Sequence, residues 1–282
     1  MAHPTNVLDH IVHLTPSGSV AQAAEQWQKL GFTVVPGGTH ADGLTANALV
    51  VLRDGAYVEL VSFARAPCSH PWGSKRPGWI DYAFLGSSAR SVAQIVNARA
   101  REEGSGVVYE GEVRGGRERP DGRAVEWVIT APRGAGRRGV WPFFCGDVTP
   151  RGWRVPLEPE GNAVHENGAV GVAHVRVLAE EAGIPALTRE YTTVVGSPPV
   201  SSQPGADVSW TLASTAAAHS IPDPVLVVSA PRDAQEEGYL RERGAGLYEV
   251  AFWVVEGEGG KGDGESEETP YGRVVWRVVK EA

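Results

Sequence analysis

One succession of elements, strand, helix and then three strands, can be read twice in the first half of this chain, and its opening restarts in the second half. Internal repetition of this kind restricts the fold to stacked or paired copies of one unit. Residues 7 to 13 (VLDHIVH) have the β-branched character of a strand. Residues 19 to 30 place Val20, Ala23, Ala24, Trp27 and Leu30 on one helical face, with Ser19 as cap and Gly31 as stop. FTVV (32 to 35), a polar Gly-rich turn, ANALVVL (46 to 52), a turn at Asp54-Gly55 and AYVELVSF (56 to 63) complete the first unit.

The second unit follows the same order. GWIDYAFLG (78 to 86) reads as a strand and residues 88 to 102 as a helix. GVVYEGEV (106 to 113), GRAVEWVI and GVWPFF are three further strand candidates. The Arg/Gly/Pro stretches at 114 to 123 and 132 to 139 read as long hairpin loops. Periodicity then lapses until GVAHVRVLAE (171 to 180) echoes VLDHIVHLTP. ALTREYTTVVG (186 to 196) reads as a helix running into a short strand. DVSWTLAS and DPVLVVSAP echo the ANALVVL and AYVELVSF hairpin, and GLYEVAFWV (246 to 254) lines up with GWIDYAFLG. GRVVWRVV (272 to 279) resembles GRAVEWVI. The acidic, Gly-rich segment within 256 to 270 has a composition that cannot bury itself and is expected to be disordered. The expected division is a first domain over 1–155, with modules at 5–63 and 78–147, a linker over 156–169, and a second, degenerate domain over 170–282.

A net charge of −8 offers no broad basic face, so a nucleic-acid partner has little electrostatic support. No apolar stretch approaches eighteen residues, and the N-terminus has no basic segment leading into an apolar run. No membrane partner is expected, and a cytoplasmic protein is the default. Cys68 and Cys145 lack metal-clip spacing and read as small buried apolar groups. No nucleophile elbow, phosphate loop or dinucleotide fingerprint occurs.

Paired βαβββ units whose opening strand carries LDHIVHL, with PGGTHADGLTANALVVL before GAYVELVSF and with WPFFCGDVTPR, resemble the vicinal oxygen chelate superfamily. More narrowly the chain is similar to glyoxalase-like domain proteins of the fungal type. The resemblance covers the first 155 residues well. It implies an α+β fold in which paired modules form half-open barrels, in two tandem domains with the second degenerate. It also implies a divalent metal held by the first and last strands of each module.

Carried over residue by residue, the resemblance gives His10 and Glu59 as metal ligands. Asp81 falls at a third ligand position and Phe143, which cannot coordinate, at the fourth. One imidazole and two carboxylates suit Zn, Fe, Mn or Ni with positions left for substrate. On its own chemistry, without the family pattern, Glu59 would sooner face solvent or pair with an arginine than hold a metal. In the second domain His174 and Glu249 recur, and Leu226 replaces the YVEL glutamate. His10 and His13, three apart, point to opposite faces of a strand. In residues 36 to 47, His40 is a candidate proton carrier, and Thr45 and Asn47 are candidate substrate donors; the rival reading is a polar turn. Among tryptophans suited to a core, Trp79 is the one carried forward as a wall of the pocket.

Two functions follow. One is a metal-dependent lyase or isomerase acting on a small carbonyl or vicinal-oxygen compound, with Glu59 and His40 catalytic. The other is a metal-free protein that sequesters a small molecule in an aromatic pocket. Either a monomer or a homodimer is compatible with two covalently joined domains.

Overall fold

The computed structural model describes residues 3–65, 70–201, 207–215, 221–257, 260–269 and 272–280; Cys68 lies outside them. The first module supplies β1 (Leu8–Thr15), α1 (Val20–Lys29), β2 (Val35–His40), β3 (Thr45–Val51) and β4 (Tyr57–Phe63). The second supplies β5 (Gly78–Leu85), α2 (Val92–Glu103), β6 (Val113–Glu118), β7 (Ala124–Thr130) and β8 (Phe143–Asp147). Their eight strands close into one barrel in the order β1-β4-β3-β2-β6-β7-β8-β5. The modules are therefore joined along both edges, by β1 with β5 and by β2 with β6.

The second closure explains two departures from the sequence expectation. Residues 36 to 40, expected as a turn, belong to β2, and the arginine-rich loop beginning at 114 contains most of β6. A Cβ on Gly37 would stand 2.0 Å from the Asn47 side-chain oxygen, and one on Gly38 would stand 2.0 Å from the Glu118 carbonyl. Glycine is needed here for close approach between strands, not for reversal of the chain. The segment 106 to 113 reaches β6 only at Val113. The half-open barrel expected for the first domain is thus a closed one.

The second half contains β9 (Ala169–Leu178), α4 (Ile184–Val195), β10 (Val208–Thr211), β11 (Val225–Ser229), α5 (Ala234–Arg243), β12 (Gly246–Val255), β13 (Ser266–Thr269) and β14 (Gly272–Val279); the short helix α3 (Arg151–Arg154) precedes them. The sheet order is β10-β11-β9-β12-β14-β13. Parallel pairing of β9 with β11 and of β12 with β14, and antiparallel pairing of β9 with β12, repeat the relations of β1 with β4, β5 with β8 and β1 with β5. Counterparts of β2 and β6 are absent among the described residues, and this sheet remains open.

Three expectations change at this level. By position β14 corresponds to β8, not to the GRAVEWVI strand that it resembles in sequence. Helix α4 continues to Val195 without the expected strand, and α5, capped by the Asp233 side chain on the Glu236 amide, was not anticipated. Within the segment expected to be disordered, residues 266 to 269 form β13 against β14, because backbone pairing does not require apolar side chains.

The outer face of the barrel packs against the second sheet through one apolar core that includes Trp27, Phe32, Trp79, Phe252 and Trp276. Residues expected as linker are fixed there as well: His165 accepts from the Thr33 amide and meets the Val51 carbonyl, and Asn167 donates to the Leu30 carbonyl. No described helix is long and apolar enough to cross a membrane.

Asp54, in the β3–β4 turn, accepts from the amides of Ala56 and, across the junction, Val172. Burial raises its carboxyl to about 6 despite these bonds. The raised value favours the folded state below about pH 4, the usual carboxylate range, and this contribution is lost as pH rises through 6. The stability difference between wild type and Asp54→Asn is accordingly largest near pH 4 and shrinks by about 2–3 kcal/mol above pH 6. Denaturant titrations of both proteins across this range check the sign; a difference that grows with pH contradicts the assignment.

Candidate functional site

The interior of the barrel holds the candidate site. Strand alternation and two β-bulges decide which side chains enter it. Parallel register sets His10 beside Tyr57 and Val12 beside Glu59, and all four face inward. His10 stacks on Tyr57 with ring centroids 4.7 Å apart and meets Phe143 edge-on. His13 points outward, as the three-residue spacing requires, against Trp27 and Trp79 in the core. Burial there, with Arg243 as a minor contributor, lowers its imidazole to about 3.

A bulge between the Val12–Asp81 and His13–Trp79 pairs reverses the parity of β5. Ile80 turns inward, and Trp79 turns outward to donate its indole N–H to the Arg273 carbonyl. Trp79 therefore does not wall the barrel cavity. Trp72, Trp127, Tyr57 and Phe143 do so, around a space of about 870 Å³ that opens to solvent.

Glu59 is the centre of the polar cluster. Its Oε1 accepts from the Asn47 amide at 2.6 Å and lies 3.4 Å from His40 Nε2, while Oε2 lies 3.9 Å from His10 Nε2. Burial pushes this carboxyl up, but the His40 hydrogen bond, the charges of His40 and His10, and the Asn47 amide outweigh it and bring it to about 2. Glu59 is thus ionised at neutral pH. His40 Nδ1 is bonded to Thr45 Oγ1 at 2.6 Å. Asn47 and Thr45, expected to hold substrate, are hydrogen-bonded to Glu59 and His40, and Thr45 also lines the cavity.

His10 is oriented from behind. Its Nδ1 lies 2.7 Å from Asp9 Oδ2. Asp9 carries the extra residue of the other β1 bulge and is fully buried. Burial raises its carboxyl, yet Arg154, Arg151 and His10 together hold it well below the usual range. An ionised carboxylate only accepts, so Nδ1 carries a proton, and Nε2 is the nitrogen turned towards Glu59 in the cavity. Arg154 donates to both oxygens of Asp9 and both of Asp147, and Arg151 reaches the same two carboxylates.

The structure separates Asp81 from this cluster. Its Oδ2 accepts from Arg138 Nε at 2.6 Å and from the Trp72 indole at 2.8 Å, and its Oδ1 accepts from the amides of Tyr82 and Gly139. Both oxygens are occupied by donors, so the expected set of His10, Glu59 and Asp81 does not fit a metal. Among the described residues no group of three His, Cys, Asp or Glu side chains is arranged to hold one. The donors to Asp81 come from 9 and 57 residues away, which strand alternation in sequence does not reveal.

Arg117 and His70, which also line the cavity, were missed. Arg117 stands opposite His40 in the β2–β6 register. Its only signal in sequence was position in an arginine-rich run, which argued for solvent. Cys145 is buried, and burial raises its thiol, in keeping with a packing role.

The model of the glyoxalase-like domain matches residues 8–195. The chain belongs to the glyoxalase-like domain family. This glyoxalase-like protein is similar in fold to a hypothetical protein from Staphylococcus aureus, with a TM-score of 0.68 at 11% identity over 96% of this chain and 99% of that one. It is also similar to a mutant of 4-hydroxymandelate synthase from Streptomyces coelicolor, with a TM-score of 0.55 at 13% identity over 90% of this chain and 72% of that one. The narrower fungal affiliation gains no support from these bacterial structures. A search of curated proteins finds no match.

Breaking one partner of the buried Asp9–Arg154 pair leaves an uncompensated charge, so Arg154→Met and Asp9→Asn are each expected to cost about 3–5 kcal/mol. The double variant should cost less than the sum of the two. A denaturant-melt double-mutant cycle measures this, and additive losses would argue against direct coupling.

Proposed function

We propose that this glyoxalase-like protein is a lyase or isomerase that moves a proton within a small carbonyl or vicinal-oxygen compound bound in the barrel. The reading rests on one observation: Glu59 is flanked by imidazole nitrogens on both carboxylate oxygens, inside an aromatic cavity of ligand size. His10 in its neutral form, with Nδ1 bonded to Asp9, takes at Nε2 the proton from the carbon beside the carbonyl, and Asp9 favours the imidazolium so formed. His40 Nε2 donates to the carbonyl oxygen, which gives an enediol. Glu59 stabilises the imidazolium formed at His10 and holds the donor nitrogen of His40 in place. His10 then delivers its proton to the former carbonyl carbon while His40 recovers a proton from the hydroxyl on the neighbouring carbon, which completes an isomerisation.

The metal-dependent form of this chemistry needs a third ligand, and Asp81 is engaged by Arg138 and Trp72. No step is therefore routed through a metal. Sequestration without catalysis is the weaker reading, because binding alone does not call for two oriented imidazoles around an ionised carboxylate.

Incubation in D₂O with a panel of hydroxy-ketones and 1,2-dicarbonyls, followed by proton NMR, tests the proposal. Enzyme-dependent deuterium incorporation is expected for at least one compound. It should fall by about 10²–10⁴-fold in His10→Gln, His40→Asn or Glu59→Gln and should survive chelator. Absence of exchange throughout the panel would favour the sequestering role. Loss on chelation with recovery on Zn, Fe, Mn or Ni would restore the metal-dependent form.

A further inference from the structure

The buried arginines of the barrel differ in what neutralises them. Arg154 and Arg151 share Asp9 and Asp147, and Arg138 holds Asp81. Arg117, on β6, is 4% exposed and lines the cavity, yet among the described residues no carboxylate lies within ion-pair distance of it. Its Nη2 donates to the Arg154 carbonyl at 2.8 Å, and its buried Nε–H has no acceptor. Glu59 acts on it only at longer range, and burial lowers its basicity despite that attraction.

A guanidinium remains charged in proteins, so burial without a counter-ion carries a desolvation cost that folding alone does not explain. Stability is commonly given up in this way at sites that bind a complementary group. The placement favours a ligand over a structural role. Arg117 is the cross-strand neighbour of His40 on the inner face of the barrel, beside the proton-transfer cluster. The planar donor edge of arginine matches a carboxylate, and the walls formed by Trp72, Trp127 and Phe143 suit an apolar or aromatic body attached to it.

We infer that the cavity takes a carbonyl compound bearing a carboxylate, whose carboxylate is received by Arg117 while the carbonyl lies at His40 and His10. This names the substrate class for the function proposed above and rests on that reading. Its test is one of binding, so that the two fail separately.

Phenylglyoxylate and its uncharged amide, benzoylformamide, are of nearly equal size and differ in the charged group. Isothermal titration of the full chain at pH 7.5 is expected to give at least tenfold tighter binding of phenylglyoxylate. In Arg117→Met the two probes should bind alike. Arg117→Lys, which keeps the charge and loses the planar edge, should retain part of the preference. Removal of an unmatched charge is also expected to leave the melting temperature of ligand-free Arg117→Met unchanged or raised. Should that variant not fold, the wild-type preference and its reduction in Arg117→Lys carry the test.

Equal binding of the two probes to the wild type, no binding of either, or a preference that persists in Arg117→Met would each overturn the inference. Anion preference through Arg117 without proton exchange on any carbonyl compound would instead sink the catalytic reading and leave the carboxylate site standing.

Discussion

The ion pair between Asp9 and Arg154 is the constraint on which the site depends. Asp9 occupies the extra position of a β1 bulge, where an unmatched carboxylate would be too costly to bury, and Arg154 reaches both of its oxygens from the short helix that follows the barrel. The same guanidinium binds Asp147 at the end of β8 and the Tyr57 hydroxyl on β4. One side chain thus ties together three strands of the barrel. Through Asp9 it fixes the tautomer of His10, and through its own carbonyl it anchors Arg117. The orientation of His10 in the cavity is a consequence of this network.

The second sheet shows what the same register does with different side chains. His174 stands at the position of His10, and Glu249 at that of Asp81, including the bulge beside it. Arg176 replaces Val12 there and Val227 replaces Glu59, one residue beyond the Leu226 expected from sequence. Arg176 forms a two-point pair with Glu236, and Glu249 receives His174 at 2.7 Å, with Arg273 also nearby. These charges satisfy one another. The resulting network is a means of burying polar groups on an open sheet.

Strands with regular alternation of β-branched residues, and helices with capped apolar faces, were legible because local chemistry decides them. The opposite facing of His10 and His13 followed from the strand period alone. Two kinds of error have a common physical source in contacts that are remote in sequence. The glycines of PGGTH and VRGGRE read as turns because their function is to admit a neighbouring strand that sequence cannot place. Trp79 and Leu226 were misassigned because single-residue bulges or shifts invert a face, and a period-two argument has no means of detecting them. Asp81 failed as a ligand for a similar reason, its partner Arg138 lying 57 residues away. The family resemblance located Glu59 and His10 correctly in one cavity but could not say which carboxylate was already engaged.

The identity of each counter-ion separates static from reactive charge in this barrel. Asp9, Asp81 and Asp147 face guanidiniums, which stay charged in proteins, so these carboxylates are held in place by permanent charges. Glu59 faces two imidazoles, a side-chain type that can both give and take a proton. The proposed proton transfer therefore draws on Glu59, His10 and His40, although acidic groups are distributed more widely. Arg117 complements that arrangement from the neighbouring strand: a permanent positive charge without a protein carboxylate can hold an anion without taking part in proton exchange. In the proposed reaction, binding and proton transfer fall to different residue types, and the β2–β6 closure sets Arg117 and His40 in one cross-strand pair.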